Sequence, residues 1–137
     1  MYNYNDLVDK TVLVTGASGD IGHAICGKFL EQGCIVYALY CTNKAQLKEL
    51  QSHHPAGKKL HLLQGDLSNQ EDVAAICAQL SSDKGKLDVL VNNAGIVKDN
   101  LFAAMTFDDF SSVINTNLLG LFRLTKEVLL LLRSAQN

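Results

Sequence analysis

The string Thr15-Gly16-Ala17-Ser18-Gly19-Asp20-Ile21-Gly22 follows directly on a short apolar run, Thr11-Val12-Leu13-Val14. These residue types suit one kind of chemistry. Glycines permit a tight turn and close backbone approach, and a helical pattern opens straight after them. The free amides of that helix N-terminus would then face an anion. Placement between a first strand and a first helix makes the string a candidate pyrophosphate site, whereas an ordinary Gly-rich turn is the bland alternative. Other chemistry is sparse. Cys26, Cys34, Cys41 and Cys77 form no C-x-x-C pair, and His23, His53, His54 and His61 fall at no metal-ligand spacing. Reduced thiols in packed elements and surface imidazoles account for both sets, and no metal site is expected.

The elements that must position the glycine turn alternate along the chain. Residues 11–15 read as a buried strand, too short for a helix and rich in β-branched side chains. Residues 21–32 carry Ile21, Ile25 and Phe29 on one helical face, with Gly33 as the stop. A second strand spans 35–40. Asn43 is placed to cap a helix running to about residue 52, with Leu47 and Leu50 inward. A third strand, 60–64, ends in Gly65-Asp66. Ser68 and Glu71 form an S-x-x-E capping box ahead of Val73, Ile76 and Leu80. A fourth strand covers 88–91. The spacing over 108–133 predicts a single helix with Val113, Leu118, Leu121, Phe122, Thr125, Val128 and Leu132 on its apolar face. The order βαβαβαβα argues for a parallel sheet with right-handed crossovers, covered on both faces.

Length and composition agree with that architecture. The chain has 137 residues, of which 47% are hydrophobic and 19% charged, with a formal net charge of -2. This fits one domain over residues 1–137. No basic footprint suggests nucleic acid as a partner. The polar, acidic start over 1–10 lacks the apolar core of a signal peptide, and the longest apolar run, 128–132, is too short to span a bilayer. A cytoplasmic protein without membrane attachment is the expectation.

With these residues in view, the chain resembles the classical short-chain dehydrogenase/reductase family. Thr15, Gly16 and Gly22 match its first motif, T-G-x-x-x-G-x-G. Asp66, followed by Leu67, fits the position that holds the adenine ring. Asn92-Asn93-Ala94-Gly95 matches the family's N-N-A-G, which lines the cofactor ribose. Asn117 matches the asparagine of the catalytic tetrad, which kinks a helix and holds a water in a proton relay. The resemblance implies a Rossmann-type, doubly wound parallel α/β sheet that binds a dinucleotide. It implies a cofactor-binding set of Thr15, Gly16, Ser18, Asp20, Ile21, Gly22, Tyr40, Asp66, Leu67, Asn92, Ala94 and Gly95, with Asn117 as the catalytic residue. The loop Lys98-Asp99-Asn100-Leu101 is similar to one in 3-oxoacyl-(acyl carrier protein) reductases. It implies reduction of 3-oxoacyl thioesters by hydride transfer, as in fatty acid biosynthesis. A loop shared with relatives of other substrate range is the alternative.

Several positions depart from the family. Asp20 replaces the second motif glycine, with Gly19 one place early. Two readings of Asp20 stand. It faces the pyrophosphate, where each charge pair at ~5 Å costs on the order of 1–3 kcal/mol at an effective dielectric between 80 and 20. Otherwise it points to solvent and adds favourable charge at a helix N-terminus. A left-handed backbone at this position would cost Asp more than glycine. The second strand ends in Tyr40 rather than an acidic residue, and Lys44 is the nearest cation for a 2′-phosphate, so NADP is expected over NAD.

The family's serine and Tyr-x-x-x-Lys do not appear after Asn117. The one string of that pattern, Tyr40 to Lys44, follows the second strand and is rejected as the catalytic pair. The expectation is therefore an incomplete Rossmann sheet of about four strands, with the catalytic C-terminal half absent. Such a chain would need a complementing half to reduce an acyl thioester. It would be marginally stable or would associate, as a homo- or hetero-oligomer, through its fourth-strand edge. A non-catalytic dinucleotide-binding or partner-binding module, or a vestigial fragment, is the other reading.

Overall fold

Four runs of β-branched and aliphatic residues form the sheet in the computed structural model, which describes residues 5–135. Residues 1–4, part of the polar start, and residues 136–137 lie outside the described set. The strands are β1 (Thr11–Val14), β2 (Ile35–Tyr40), β3 (Leu60–Gln64) and β4 (Val89–Val91). All pairings are parallel, in the order β3-β2-β1-β4. The helices are α1 (Asp20–Glu31), α2 (Ala45–His53), α3 (Gln70–Asp83), α4 (Phe107–Ile114) and α5 (Leu121–Ser134). A π-helical turn, Asn115–Gly120, joins α4 to α5.

Side chains alternate across the pleat, so each strand feeds two cores. Val12, Val14, Val36 and Ala38 meet Cys26 and Leu30 of α1 and Leu47 of α2. Leu13, Tyr37 and Leu39 meet Val73, Ile76 and Leu80 of α3 and Leu124, Val128 and Leu131 of α5. Helices therefore cover both faces, which is why β1 is buried at every position. This is the parallel sheet expected from the alternation, and the Rossmann-type arrangement that the resemblance implies. The chain runs from β1 to β2 and β3 on one side, then returns to place β4 on the other. That reversal opens a crevice beyond the carboxyl ends of the strands.

Four local expectations are corrected. Ile21 does not share the packed face of α1: it is 71% exposed, and Gly22, Cys26 and Leu30 are the buried positions. The face is rotated by one residue because Gly22, with no side chain, is the point of contact. The cap of α3 is Asn69 rather than Ser68. Asn69 Oδ1 accepts from the amides of Glu71 (2.8 Å) and Asp72 (3.3 Å), while the Ser68 hydroxyl is drawn to Asp66 Oδ1 at 2.7 Å. The fourth strand starts at Val89, since the Asp88 carboxylate turns to accept from the Thr11 amide at 2.7 Å.

The fourth correction concerns 108–133, which is not one uniform helix. An i→i+5 turn holds more residues than an α-turn, so positions beyond it face elsewhere than a 3.6 period projects. Leu118 (58%), Leu121 (39%) and Phe122 (61%), expected inward, are exposed; Val128 is buried as expected, together with Leu124 and Leu131, which were not expected there. Exposed Phe107, Phe110, Leu129 and Leu130 extend this apolar surface. β4 lies at the sheet edge with all three residues half-buried. No helix among the described residues is long and apolar enough to cross a membrane.

Candidate functional site

The crevice is a cleft of about 710 Å³ at the carboxyl ends of β1, β2 and β3. Its first wall is the turn out of β1. Gly16 takes φ +60°, a left-handed conformation, and a Cβ there would stand 2.8 Å from the Ala94 Cα. The Ala17 amide then donates to the Leu39 carbonyl at 3.0 Å, tying the turn to β2. Gly19 is the N-cap of α1 and offers no side-chain cap. The amides of Asp20, Ile21 and Gly22 have no backbone partner among the described residues. All three residues line the cleft. Unpaired amides at a helix N-terminus, with the helix dipole behind them, are a ready anion cradle.

A second motif holds this turn in place from β4. Asn93 Nδ2 donates to the carbonyls of Thr15 (3.1 Å) and Gly16 (3.2 Å). In return Thr15 Oγ1 accepts from the amides of Asn93 (3.0 Å) and Ala94 (2.9 Å), and donates to the Val91 carbonyl at 3.3 Å. Thr15 is thus 1% exposed and acts from behind the cleft rather than in it. Gly22 seals the join. A Cβ there would collide with the Gly16 carbonyl and stand 2.8 Å from both Ala17 Cα and Asn93 Nδ2.

The opposite wall comes from the turn after β3. Asp66 Oδ1 accepts from the Ser68 amide (2.8 Å) and hydroxyl (2.7 Å), and the Asp66 amide donates to Asp72 Oδ2 at 2.8 Å. These bonds fix the backbone that presents Asp66 and Leu67 to the cleft. Tyr40 and Cys41 close it at the end of β2. Desolvation, then the charges of Asp66 and Asp72, push the Cys41 thiol up.

Asn117 sits in the π-turn. Its Oδ1 accepts from the Ile96 amide at 2.8 Å and its Nδ2 donates to the Ile96 carbonyl at 2.9 Å. Both ends of the amide are spent on one backbone residue, so the side chain clamps the loop after β4. That loop is also tied to α4 by Lys98 and Asp109, 3.1 Å apart, which holds the Asp109 carboxyl below its ordinary range.

Of the residues expected from sequence, Gly16, Ser18, Asp20, Ile21, Gly22, Tyr40, Asp66, Leu67, Ala94 and Gly95 line one cleft. Thr15 and Asn117 stand behind it. Asn92 lies outside it, with its Nδ2 donating to Thr125 Oγ1 at 3.3 Å. Lys44 lines a neighbouring hollow with Lys48 and His61, on the far side of Tyr40. Asp20 is exposed and helical. Among the described residues only Asp9 is a non-glycine with positive φ, so the feared left-handed strain at Asp20 is absent.

Sequence reasoning missed Gly19, Leu39, Cys41, Gly65, Asn93, Ile96 and Thr116 as residues that line the cleft. Asn93 was legible as part of N-N-A-G. Ile96 acts through its backbone, which Asn117 holds at both amide and carbonyl, and this leaves no signal in residue type. No His, Cys, Asp or Glu group able to hold a metal occurs among the described residues.

A profile of the short chain dehydrogenase family matches residues 10–137, and the chain belongs to that family. It is 41% identical over 120 residues to nodulation protein G of Azospirillum brasilense, covering 87% of this chain and 49% of that protein. Acetoacetyl-CoA reductase of Shinella zoogloeoides is 40% identical over 121 residues, covering 88% and 48%. The 3-oxoacyl-[acyl-carrier-protein] reductase of Vibrio cholerae is 36% identical over 124 residues, covering 90% and 50%. Among solved structures, a short-chain dehydrogenase/reductase from Brucella melitensis superposes with a TM-score of 0.86 at 27% identity, over 96% of this chain and 54% of that one. The chain spans about half the length of the curated relatives it matches.

Proposed function

We propose that this chain is the cofactor-binding part of an NAD(P)-dependent oxidoreductase that reduces 3-oxoacyl thioesters. The observation that carries the reading is the uncapped start of α1, whose unpartnered amides at Asp20, Ile21 and Gly22 open into the cleft. A pyrophosphate fits there, with Gly16 and Ser18 beside it. The adenosine lies against Asp66, Leu67 and Tyr40, and the nicotinamide riboside toward Ala94 and Gly95. NADP is the better fit, since β2 is followed by Cys41, Thr42 and Asn43, with no carboxylate for a ribose 2′-hydroxyl. Lys44 and Lys48 line the neighbouring hollow that shares Tyr40 with the cleft, and are the cations offered to a 2′-phosphate.

When bound, the nicotinamide supplies or accepts the hydride. The residues of this chain bind and orient it, and Asn117 fixes the adjoining loop through Ile96. Proton delivery belongs to a serine and a Tyr-x-x-x-Lys pair in a complementing segment. The thioester class rests on the Lys98-Asp99-Asn100-Leu101 loop and on the names of the Shinella and Vibrio relatives. The exposed apolar side chains of α4 and α5 suit association with such a segment or with a second copy. The test is titration of the purified chain with NADPH and NADH, followed by nicotinamide fluorescence, with acetoacetyl-CoA added as substrate. Binding with NADPH tighter, and no turnover by the chain alone, is the expected result. Absence of binding by either dinucleotide overturns the proposal.

A further inference from the structure

Behind two walls of the cleft lies a cation with no anion. Arg123, on the first turn of α5, is half-buried, and no carboxylate pairs with it among the described residues. Its Nη2 donates to Asn115 Oδ1 at 2.9 Å, and its Nη1 reaches the carbonyls of Asn115 and Leu67, each at 3.4 Å. Asn115 opens the π-turn, and Leu67 forms the cleft wall after β3. One guanidinium therefore joins the π-turn to a wall segment that lies 56 positions before Arg123 in the chain. Among the described residues three neutral oxygens, and no carboxylate, partner this half-buried cation. Gly120, at the other end of the same turn, marks the same junction. It is buried, and a Cβ there would stand 2.9 Å from the Leu67 Cβ and 3.1 Å from its carbonyl oxygen.

We infer that Arg123 is a positioning residue for the dinucleotide, acting through Leu67 and the π-turn rather than by touching the ligand. The turn carries Thr116, which lines the cleft, and Asn117, which clamps Ile96. Loosening the fork frees the adenosine wall at Leu67 and the loop at Ile96 together. The planar, forked geometry is the property in use. Lysine keeps the charge but gathers its donors on one nitrogen and does not reproduce the fork.

The inference rests on the binding reading above, and its test has an arm that does not. Arg123→Lys and Arg123→Ala are compared with the parent chain for NADPH affinity and for amide hydrogen exchange at Leu67 and at residues 115–120. Both variants are expected to bind NADPH at least tenfold more weakly and to exchange at least tenfold faster at those amides, with exchange in β1 unchanged. Methylguanidinium added to Arg123→Ala, where the side chain leaves room, restores affinity. Parent-like exchange in both variants overturns the inference, and so does full NADPH affinity in Arg123→Lys, which would make charge alone sufficient. Faster exchange at those amides in the variants, with no dinucleotide bound even by the parent chain, sinks the binding reading while leaving the fork established. Faster exchange throughout, β1 included, reduces Arg123 to a general stabiliser and refutes the positioning role.

Discussion

Replacing Gly22 by alanine sets two physical effects against each other. In an ordinary helix interior the change stabilises by about 0.5–1 kcal/mol, because glycine loses more backbone freedom on folding. At Gly22 the new methyl enters filled space, against the Gly16 carbonyl, Ala17 Cα and Asn93 Nδ2. Overpacking of that kind costs ~1–3 kcal/mol. Two Asn93 hydrogen bonds to Thr15 and Gly16 must also shift, at about 1 kcal/mol each. The balance is a loss of roughly 2–4 kcal/mol, or about 6–15 °C in Tm for a chain of this size. Gly27 supplies the control: it lies in the same helix with nothing within 4 Å of an added Cβ. Gly27→Ala is expected to stabilise by about 0.5–1 kcal/mol. Urea unfolding followed by far-UV circular dichroism reads both. A Gly22→Ala chain as stable as the parent, or as Gly27→Ala, refutes the claim that Gly22 exists for close packing.

Three other expectations follow from the same contacts. Asn69→Ala removes the α3 cap and costs ~1 kcal/mol in urea unfolding, whereas Ser68→Ala leaves the two capped amides bonded; the reverse order would restore the Ser68 capping box. A thiol reagent labels exposed Cys41 first and buried Cys26 last, burial having pushed the Cys26 thiol up to about 12. Saturating NADPH slows labelling at Cys41, and equal labelling with and without it would place the ligand elsewhere. Stability falls at alkaline pH, because the folded state holds protons that the unfolded chain releases. Cys26 is raised from 9.0 to about 12, and Tyr37 from 10.0 to about 12 by burial and by its hydrogen bond to Asp83. Their stabilisation is fully present below pH 9 and is lost as pH rises toward 12. Tyr37→Phe therefore flattens the profile between pH 10 and 12, and an unchanged slope there would contradict the burial.

By itself the sequence determined whatever depends on neighbours along the chain. Short aliphatic runs pointed to strands in a covered sheet, fully so for β1 and nearly so for β2, and their alternation with helices set it parallel. The glycine turn between β1 and α1 was readable because its context, strand before and helix after, is local. N-N-A-G, Asp66 and Asn117 were readable through family resemblance, though not what each touches. Only the tertiary structure decided how these pieces lock. Thr15 and Asn93 exchange bonds across 78 positions, and Arg123 reaches Leu67 across 56, so no periodicity can report them. The inward face of the last helix was misread at Leu118 and Phe122 for a related reason. A 3.6-residue projection assumes uniform turns, and the π-turn from Asn115 to Gly120 is held by contacts with Leu67 and Ile96 that belong to other elements. The residues that furnish the cleft are written in local sequence. The geometry that makes them one site comes from hydrogen bonds between segments that only folding brings together.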